Sequence, residues 1–424
     1  MTPSAKLPRA LPPLDLTGLA TWLVERGLQG LPLDEQVDGF CRRIVDAGFP
    51  GRRFNMSLGT LHPRHGARSY VWRPSGLETE EFARQRSSEE RAPFMRSPIH
   101  YLQSSGQTSL RRRLDTHTPD EFPVLADRRA EGMTDYAAWV VPFDDNPAEP
   151  GSVASRILAV DQPNPMRGIF FSCATDVAGG FDDGQLLQVA ALLPYLALAV
   201  KSRSMLEVAR TLLETYLGVD AGRRVLTGEI DRHSVQRIHA VIWLCDLRSF
   251  SAMANRVSQD ELIEILDSYL ELMARPVLDN RGQILKFLGD GFLATFDLSL
   301  RDRQAACIDA LVAAEQLLEA LPQFNAERLA AGKRTLDFGV ALHLGEVLYG
   351  NIGSSERLDF TVVGSAVNEA SRIEGLCRPL QRKVLISNMF SDAAVARAGR
   401  LISVGVHALR GIREPQELFT IADA

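Results

Sequence analysis

The second half of the chain presents a strand, a helix, a hairpin, a second helix and a strand in that order. Residues 240–245 form a continuous apolar run, which is typical of a strand buried on both faces. An amphipathic helix opens at Ser258, a hairpin surrounds Asp290, and a second helix with one apolar face follows. This is the order of a split βαβ unit. The sequence therefore predicts a ferredoxin-like βαββαβ domain over residues 231–424.

The first half of the chain predicts a separate α+β domain over residues 1–181. The full length of 424 residues is more than one hydrophobic core usually serves. Two amphipathic helical patterns lie between residues 16 and 47, and strand-like runs follow at 54–61, 68–73, 136–143, 156–160 and 168–173. Between the second and third of these runs, a polar stretch around Arg111, Arg112 and Arg113 favours a solvated face over an anion site.

Residues 182–230 predict a helical linker between the two domains. Apolar residues recur at helical spacing from about residue 182 to 217. Two interpretations stay open: the stripe pairs with its copy in a dimer, or it packs on its own domain. The most apolar stretch, residues 186–200, is shorter than the roughly 20 residues of a membrane span. We therefore expect no membrane span.

Charge and cysteine usage narrow the class of partner and the compartment. A formal net charge of -6 argues against nucleic acid as a partner. The five cysteines are far apart and form no CxxC pair, which favours reduced, buried thiols over disulfides or a zinc site. The N-terminus has no sustained apolar core of a secretory signal. A cytoplasmic protein is the expectation.

Two aspartates stand where the predicted strands end. Asp246 closes the apolar run in WLCDLRSFS, and Asp290 sits between two glycines in ILKFLGDGFLATF. Adjacent strands would bring both carboxylates together as a hard-oxygen site for Mg²⁺ or Mn²⁺. Taken singly, each aspartate is as well explained by a helix cap or a hairpin turn.

The 44-residue spacing of these aspartates, the FLGDG hairpin after a lysine and the later run TVVGSAVNEASRIE together resemble class III adenylate cyclases. The resemblance covers roughly residues 238–420. It implies that Asp246 and Asp290 hold two Mg²⁺ or Mn²⁺ ions per active site, with a backbone carbonyl contributed by Leu247. One metal would activate the ribose 3′-hydroxyl, and the other would stabilise the triphosphate.

The same resemblance assigns the nucleotide-binding residues. Lys286 and Thr361 occupy the adenine-reading positions, where guanylate cyclases typically carry glutamate and cysteine. Asn368 matches the asparagine that orients the ribose. Arg372 matches the arginine that stabilises the pentavalent phosphorane, an electrostatic role suited to a guanidinium.

One phosphate contact is less closely matched. The family more often has a lysine near the C-terminus that contacts the terminal phosphates. Arg410 stands there in HALRGIREP, and Arg413 is the alternative.

In this family one subunit supplies the metal aspartates and the other supplies the remaining site residues, so the resemblance implies a homodimer with shared sites. The N-terminal half is similar, more loosely, to GAF-like sensory regions that precede some bacterial cyclase domains, through the segments SPIHYLQSSG, FPVLADRRAEGMTDYAAWVVPF and ATDVAGGFDDGQLLQVAALLPYLALAV. That resemblance implies regulation by an unknown small-molecule or protein signal, and a purely structural dimerisation domain is the alternative. His62 and His65 have metal-like spacing but favour a surface turn. The predicted function is a homodimeric adenylate cyclase acting on ATP; the alternatives are a guanylate cyclase and a catalytically silent nucleotide-binding module.

Overall fold

A computed structural model of the chain describes residues 16–62, 65–84, 87–115, 121–143, 168–232, 234–298 and 302–422. The chain divides into two compact units, Met1–Leu212 and Leu213–Ala424. The division falls inside one long helix, within the segment 182–230 for which the sequence predicts a linker. The predicted strand at 156–160 lies outside the described residues. The three-part division into two domains and a linker stays a prediction.

The first unit contains a six-stranded antiparallel sheet in the order β3-β2-β1-β6-β5-β4. The strands are β1 (Arg53–Gly59), β2 (His65–Arg73), β3 (Gly76–Ala83), β4 (Ser109–Arg113), β5 (Asp135–Pro142) and β6 (Gly168–Thr175). The helices are α1 (Leu16–Gln29), α2 (Leu33–Asp46), α3 (Ser88–Met95), α4 (Pro98–Ser105), α5 (Pro123–Ala130) and α6 (Asp183–Leu217), the last of which continues into the second unit.

An aromatic core packs helices α1, α2 and α6 against the sheet of the first unit. Phe40 of α2 meets Phe171 of β6 edge to face, and Phe54 of β1 packs against both Phe171 and Trp72. All four side chains are buried. The predicted α+β character of this half is therefore confirmed, whereas its likeness to GAF regions stays a prediction.

Strand β4 differs from the expectation of a solvated polar face. Arg111 pairs with Asp135, whose carboxylate is fully buried, and also with Asp183 at the start of α6. Buried carboxylates need such partners, so Arg111 serves the packing of this unit. Strand β3 was also not predicted, because its residues 78–81 alternate too little between polar and apolar types.

The second unit contains an eight-stranded sheet in the order β13-β14-β12-β10-β7-β9-β8, with β11 paired to β10. The strands are β7 (Val235–Leu247), β8 (Gln283–Phe287), β9 (Gly291–Asp297), β10 (Phe338–Gly353), β11 (Leu358–Val363), β12 (Val384–Ser387), β13 (Leu401–His407) and β14 (Gln416–Ile421). The helices are α7 (Val219–Leu226), α8 (Phe250–Ala254), α9 (Gln259–Asp279), α10 (Arg303–Ala330), α11 (Ser365–Glu374) and α12 (Asn388–Ala393), followed by a 3-10 turn (Val395–Arg400).

The centre of this sheet has the predicted ferredoxin-like order. Strands β10, β7, β9 and β8 are neighbours, and each adjacent pair is antiparallel. Helix α9 begins at Ser258, whose hydroxyl accepts a hydrogen bond from the Glu261 amide. Four residues spaced by one turn bury its inner face, namely Ile265, Tyr269, Met273 and Val277. The apolar stretch of β7 is buried on both faces, as the sequence predicts: Val241 and Trp243 pack with residues of α9 and α10, and Ala240 and Ile242 pack on the other side of the sheet.

Helix α6 is the one helix, within the described ranges, that is long and apolar enough to cross a membrane. Half of its most apolar stretch is buried inside the structure. Buried core helices of globular proteins meet the same criteria, so this is weak support for a span. The expectation of no membrane span stays a prediction.

All five cysteines are free and buried. Burial raises the pKa of each thiol, because it removes water from the charged thiolate. The pKa of Cys307 is raised to about 12. The expectation of buried thiols acting as small apolar residues is confirmed.

We expect the core of the second unit to respond strongly to shortening of Leu317. This residue of α10 is fully buried, whereas Leu329 of the same helix is 62% exposed. Leu317→Ala should lower the free energy of unfolding by about 2–5 kcal/mol through lost burial and a residual cavity. Leu329→Ala, the matched control, should change it by about 0.5 kcal/mol or less. Urea denaturation measures both, and equal losses would contradict the assigned packing.

Candidate active site

Two carboxylates meet at adjacent strand ends of the second unit. Asp246 lies near the end of β7, directly opposite Gly291 of β9. Asp290 precedes Gly291, and its carbonyl accepts a hydrogen bond of 3.0 Å from the Leu247 amide. The Asp246 and Asp290 carboxyl groups are within hydrogen-bonding reach of each other. The structure thus brings together the two aspartates that the sequence singled out.

Glycine at two positions makes this approach possible. A Cβ on Gly291 would lie 1.9 Å from the Cys245 carbonyl oxygen, so any larger residue would push β9 away from β7. Gly289 has a φ of +82°, a left-handed conformation that side-chain-bearing residues rarely adopt. The glycines on either side of Asp290 therefore fix the position of its carboxylate.

The pKa of Asp246 is raised to about 7. Partial desolvation is the largest cause, followed by the negative charge of Asp290 and a hydrogen bond with it, and then by the charge of Glu374. The pKa of Glu374 is itself raised, first by burial and then by Asp290, while Arg248 acts in the opposite direction. The site thus concentrates negative charge, which Arg248 offsets only in part.

This donor set fits divalent metal ions. Two close carboxylates are hard oxygen ligands, and a cation between them would relieve the repulsion that raises the pKa of Asp246. Asp246 and Asp290 would hold the metals, and the Leu247 carbonyl, next along the chain, is the third oxygen that the sequence predicts. No cluster of three or more histidine, cysteine or acidic ligands occurs within the described ranges, so the fit rests on the two carboxylates.

A second polar group forms on strands β8 and β11. The Lys286 ammonium lies 2.6 Å from the Asp359 carboxylate, and both side chains are nearly half exposed. Phe360 and Val362 of β11 are buried, so Asp359 and Thr361 lie on the opposite face of that strand. The structure therefore places Lys286 beside the strand that carries Thr361, the other predicted adenine-reading residue.

Helix α11 presents two different faces. Asn368 and Arg372 are exposed and one turn apart, whereas Ala370 and Ile373 are buried beneath them. Neither polar side chain has a hydrogen bond or ion pair within the part of the chain that the structure describes. Glu374 instead points inward: its Oε1 lies 2.5 Å from where a Cβ on Gly339 would stand, and Gly339 pairs with Asp246.

Arg410 and Arg413 lie in the exposed connection between β13 and β14. Neither forms an ion pair with another described residue. The structure does not choose between them as the contact to terminal phosphates.

Comparison with known proteins matches residues 234–422 to the sequence profile of the adenylate and guanylate cyclase catalytic domain. These residues form a class III cyclase catalytic domain. An adenylate cyclase of Anabaena cylindrica is 35% identical over 176 residues, which cover 41% of this chain and 34% of that protein. Adenylate cyclase 1 of Rhizobium meliloti is 30% identical over 164 residues, or 38% of this chain and 24% of that protein.

Among solved structures, the guanylyl cyclase Cya2 is 28% identical with a TM-score of 0.39, covering 44% of this chain and 93% of that chain. The chain spans about a third or less of these two curated relatives. The matched profile describes both adenylate and guanylate cyclases, so the family itself does not decide the nucleotide.

Three residues of the cyclase domain were missed by sequence reasoning. Asp359 lies two positions before Thr361, and the period of two along a strand was the signal that could have found it. Glu374 ends the NEASRIE motif, but only the contact between α11 and β10 shows that it approaches the Asp246 and Asp290 carboxylates. A third residue, Arg248, binds Asp337 and the backbone carbonyls of Cys377 and Arg382, which anchors the loop after β7.

The aspartate pair should make the stability of the metal-free protein depend on pH. The pKa of Asp246 is raised from 3.8 to about 7, so its contribution is fully present below pH 4 and is lost as pH rises through 7. As the pH rises from 5 to 8 in EDTA, the free energy of unfolding should fall by about 1 kcal/mol more in the wild type than in Asp290→Asn; this figure allows for screening by solvent. Excess Mg²⁺ at pH 8 should restore the lost free energy of unfolding in the wild type but not in Asp290→Asn.

Urea denaturation at the two pH values measures this difference. Glu271→Gln removes an exposed carboxylate from α9 and is the matched control, expected to follow the wild type. An identical pH slope in the wild type and Asp290→Asn would show that the two carboxylates do not interact.

Proposed function

We propose that the chain is an adenylate cyclase that converts ATP into 3′,5′-cyclic AMP and pyrophosphate. The observation that carries this proposal is the pair of close carboxylates, Asp246 and Asp290, at adjacent strand ends of a cyclase catalytic domain. In the reaction the ribose 3′-oxygen forms a bond to the α-phosphorus, the bond to the pyrophosphate oxygen breaks, and the 3′-hydroxyl proton is lost. The proposal keeps the expectation of a cytoplasmic protein with access to ATP.

In this proposal two Mg²⁺ or Mn²⁺ ions are held by Asp246 and Asp290, with the Leu247 carbonyl. Such ions, when bound, lower the pKa of the attacking hydroxyl and neutralise charge on the phosphates. Asn368 orients the ribose by hydrogen bonding. Arg372 stabilises the charge that develops on the α-phosphate oxygens, and its planar fork suits that task. Arg410 or Arg413 contacts the terminal phosphates.

The preference for ATP is supported by the Lys286 and Asp359 pair. A lysine donates hydrogen bonds only, which matches the acceptor N1 of adenine. An ionised aspartate accepts only, which matches the 6-amino group of adenine and opposes the 6-oxo group of guanine. Thr361 can donate or accept, so its hydroxyl alone discriminates poorly. The added proposal is that Asp359 both orients Lys286 and sharpens the choice of base.

A homodimer with shared active sites is supported by the two faces of α11. Glu374 of this helix lies toward the Asp246 strand of its own chain, whereas Asn368 and Arg372 face outward. An outward-facing pair is available to the metal carboxylates of a second copy. One chain would then contribute metal ligands to one site and the Asn368 and Arg372 pair to the other.

Regulation by the first unit is the remaining part of the proposal. Helix α6 continues from the first unit into the second, where α7 follows it directly. Asp220 of α7 accepts a hydrogen bond of 2.9 Å from the Tyr349 hydroxyl, to which Gln283 of β8 also donates. Lys286 lies three residues further along β8. A displacement of α7 would therefore reach the strand that carries the predicted base-reading lysine.

The choice of nucleotide is tested by incubating the purified full chain with Mn²⁺ and either ATP or GTP. We expect cyclic AMP to form at least about tenfold faster than cyclic GMP, and Asp246→Asn to lower turnover about 100-fold or more. Asp359→Asn should reduce the preference for ATP, because the amide can donate to a guanine oxygen. Glu356→Gln, an exposed change nearby, should leave the preference unaltered.

Faster formation of cyclic GMP would overturn the ATP assignment in favour of guanylate cyclase. Nucleotide binding without turnover in the wild type would identify a silent nucleotide-binding module. An unchanged preference in Asp359→Asn would remove that residue from base selection.

Site sharing is tested by mixing two inactive variants. Asp246→Ala and Arg372→Ala damage opposite halves of the proposed site, so a mixed dimer retains one intact site. Random pairing of equal amounts should restore about a quarter of wild-type activity. Asp246→Ala mixed with Asp290→Ala, both in the same half, should restore none. Differently tagged chains verify the mixed dimers by co-purification, and mixed dimers without recovery would contradict site sharing.

A further inference from the structure

A cavity of about 230 Å³ lies within the first unit, and all of its lining residues belong to that unit. It is bounded by the end of β1, by β2 and by the part of α6 around residues 204–211. Its apolar wall includes Leu33, Leu58 and Val208. An apolar wall with a few polar groups is the usual composition of a small-molecule site.

The charges around this cavity are paired with one another. Arg68 lies 2.7 Å from Glu81 and 3.7 Å from Glu207, both of which line the cavity with it. Glu207 is also held at 3.0 Å by Arg203 of the preceding helical turn. Two guanidinium groups and two carboxylates therefore balance. A charged ligand would have to break one of these pairs, whereas an uncharged ligand leaves them intact.

Two imidazoles complete the polar side of the cavity. The rings of His62 and His65 lie against each other at a tilt of 38°, with centroids 4.7 Å apart, and the His65 amide donates to Nδ1 of His62. Nε2 of His65 lies 3.5 Å from the Glu81 carboxylate. The two rings offer aromatic surface, against which an uncharged aromatic molecule can pack.

Two buried polar atoms beside the cavity lack partners. The Ser204 hydroxyl, in a residue only 4% exposed, and Nε of Arg68 have no hydrogen bond to any described residue. Helical serines ordinarily bond to the carbonyl four residues earlier, and buried donors are ordinarily satisfied. Both atoms can donate, so an oxygen acceptor is the group that would satisfy them.

The volume sets the size of the occupant. An engineered cavity of about 150 Å³ holds one benzene molecule, so about 230 Å³ holds on the order of ten non-hydrogen atoms. We propose that this cavity binds an uncharged molecule of that size, with an apolar or aromatic body and one oxygen acceptor. This binding site is independent of the proposed cyclase reaction, because its test measures ligand binding alone.

The test compares three probes of similar shape but different charge on the full chain. The probes are 2-phenylethanol, which is neutral, phenethylamine, which is a cation, and phenylacetate, which is an anion. Isothermal titration calorimetry and saturation-transfer NMR should give 2-phenylethanol a dissociation constant on the order of 1 mM or tighter, within the efficiency range of so small a ligand. Each charged probe should bind at least about tenfold more weakly.

The site is located by two tryptophan substitutions on α6. Val208→Trp fills the cavity and should weaken binding of 2-phenylethanol at least about tenfold. Leu206→Trp adds the same side chain at a 51% exposed position that does not line the cavity, and should bind as the wild type does. Ala67→Phe, on the opposite wall, gives the same test if Val208→Trp does not fold.

The proposal is supported if Leu206→Trp binds 2-phenylethanol and both cavity-filling variants do not. If Val208→Trp is unfolded, loss of binding in Ala67→Phe alone takes the place of loss in both. Equal binding to the cavity-filling and control variants would place the site elsewhere and overturn it. Tighter binding of either charged probe, or no binding of 2-phenylethanol to the wild type, would also overturn it.

Discussion

The second unit depends on holding two carboxylates close together against their mutual repulsion. Asp246 and Asp290 lie side by side because the pairing of β7 with β9 extends to Asp246 opposite Gly291, and because Gly291 lets the two backbones approach. The cost of this arrangement appears in the raised pKa of Asp246. The buried sheet and helices around it, including Trp243, Phe292 and Phe338, supply the rigidity that prevents the strands from separating.

The same constraint organises helix α11. Its inward face accommodates Glu374 next to Gly339, which pairs with Asp246 of β7, while Ala366 and Ala370 pack on the sheet. Asn368 and Arg372 lie on the outer face, so their side chains leave the helix in a different direction from that of Glu374. The proposal of a shared site follows from the direction of these side chains as much as from family resemblance.

Sequence reasoning succeeded where local pattern and motif agree. Strand β7, the hairpin at Asp290 and helix α9 could each be predicted, because residues close together in the sequence determine them: an apolar run, two glycines and a helical spacing. It failed where the partner is distant: Arg111 is neutralised by Asp135, 24 residues away, and Lys286 by Asp359, 73 residues away. Such pairings depend on which strands become neighbours, and a charged residue by itself does not reveal whether its partner is water, another side chain or a ligand.

Charge balance gives one physical rule that separates the two sites of this chain. Around Asp246 the negative charges of Asp290 and Glu374 are only partly offset by Arg248, so the site favours cations. Around the cavity of the first unit, by contrast, Arg68 and Arg203 offset Glu81 and Glu207. A site with surplus charge selects its ligand electrostatically, whereas a balanced one selects by shape and hydrogen bonding. An uncharged ligand selected by shape would leave the charge pairs of the first unit intact and would contact α6, which contributes Ser204, Glu207 and Val208 to the cavity wall.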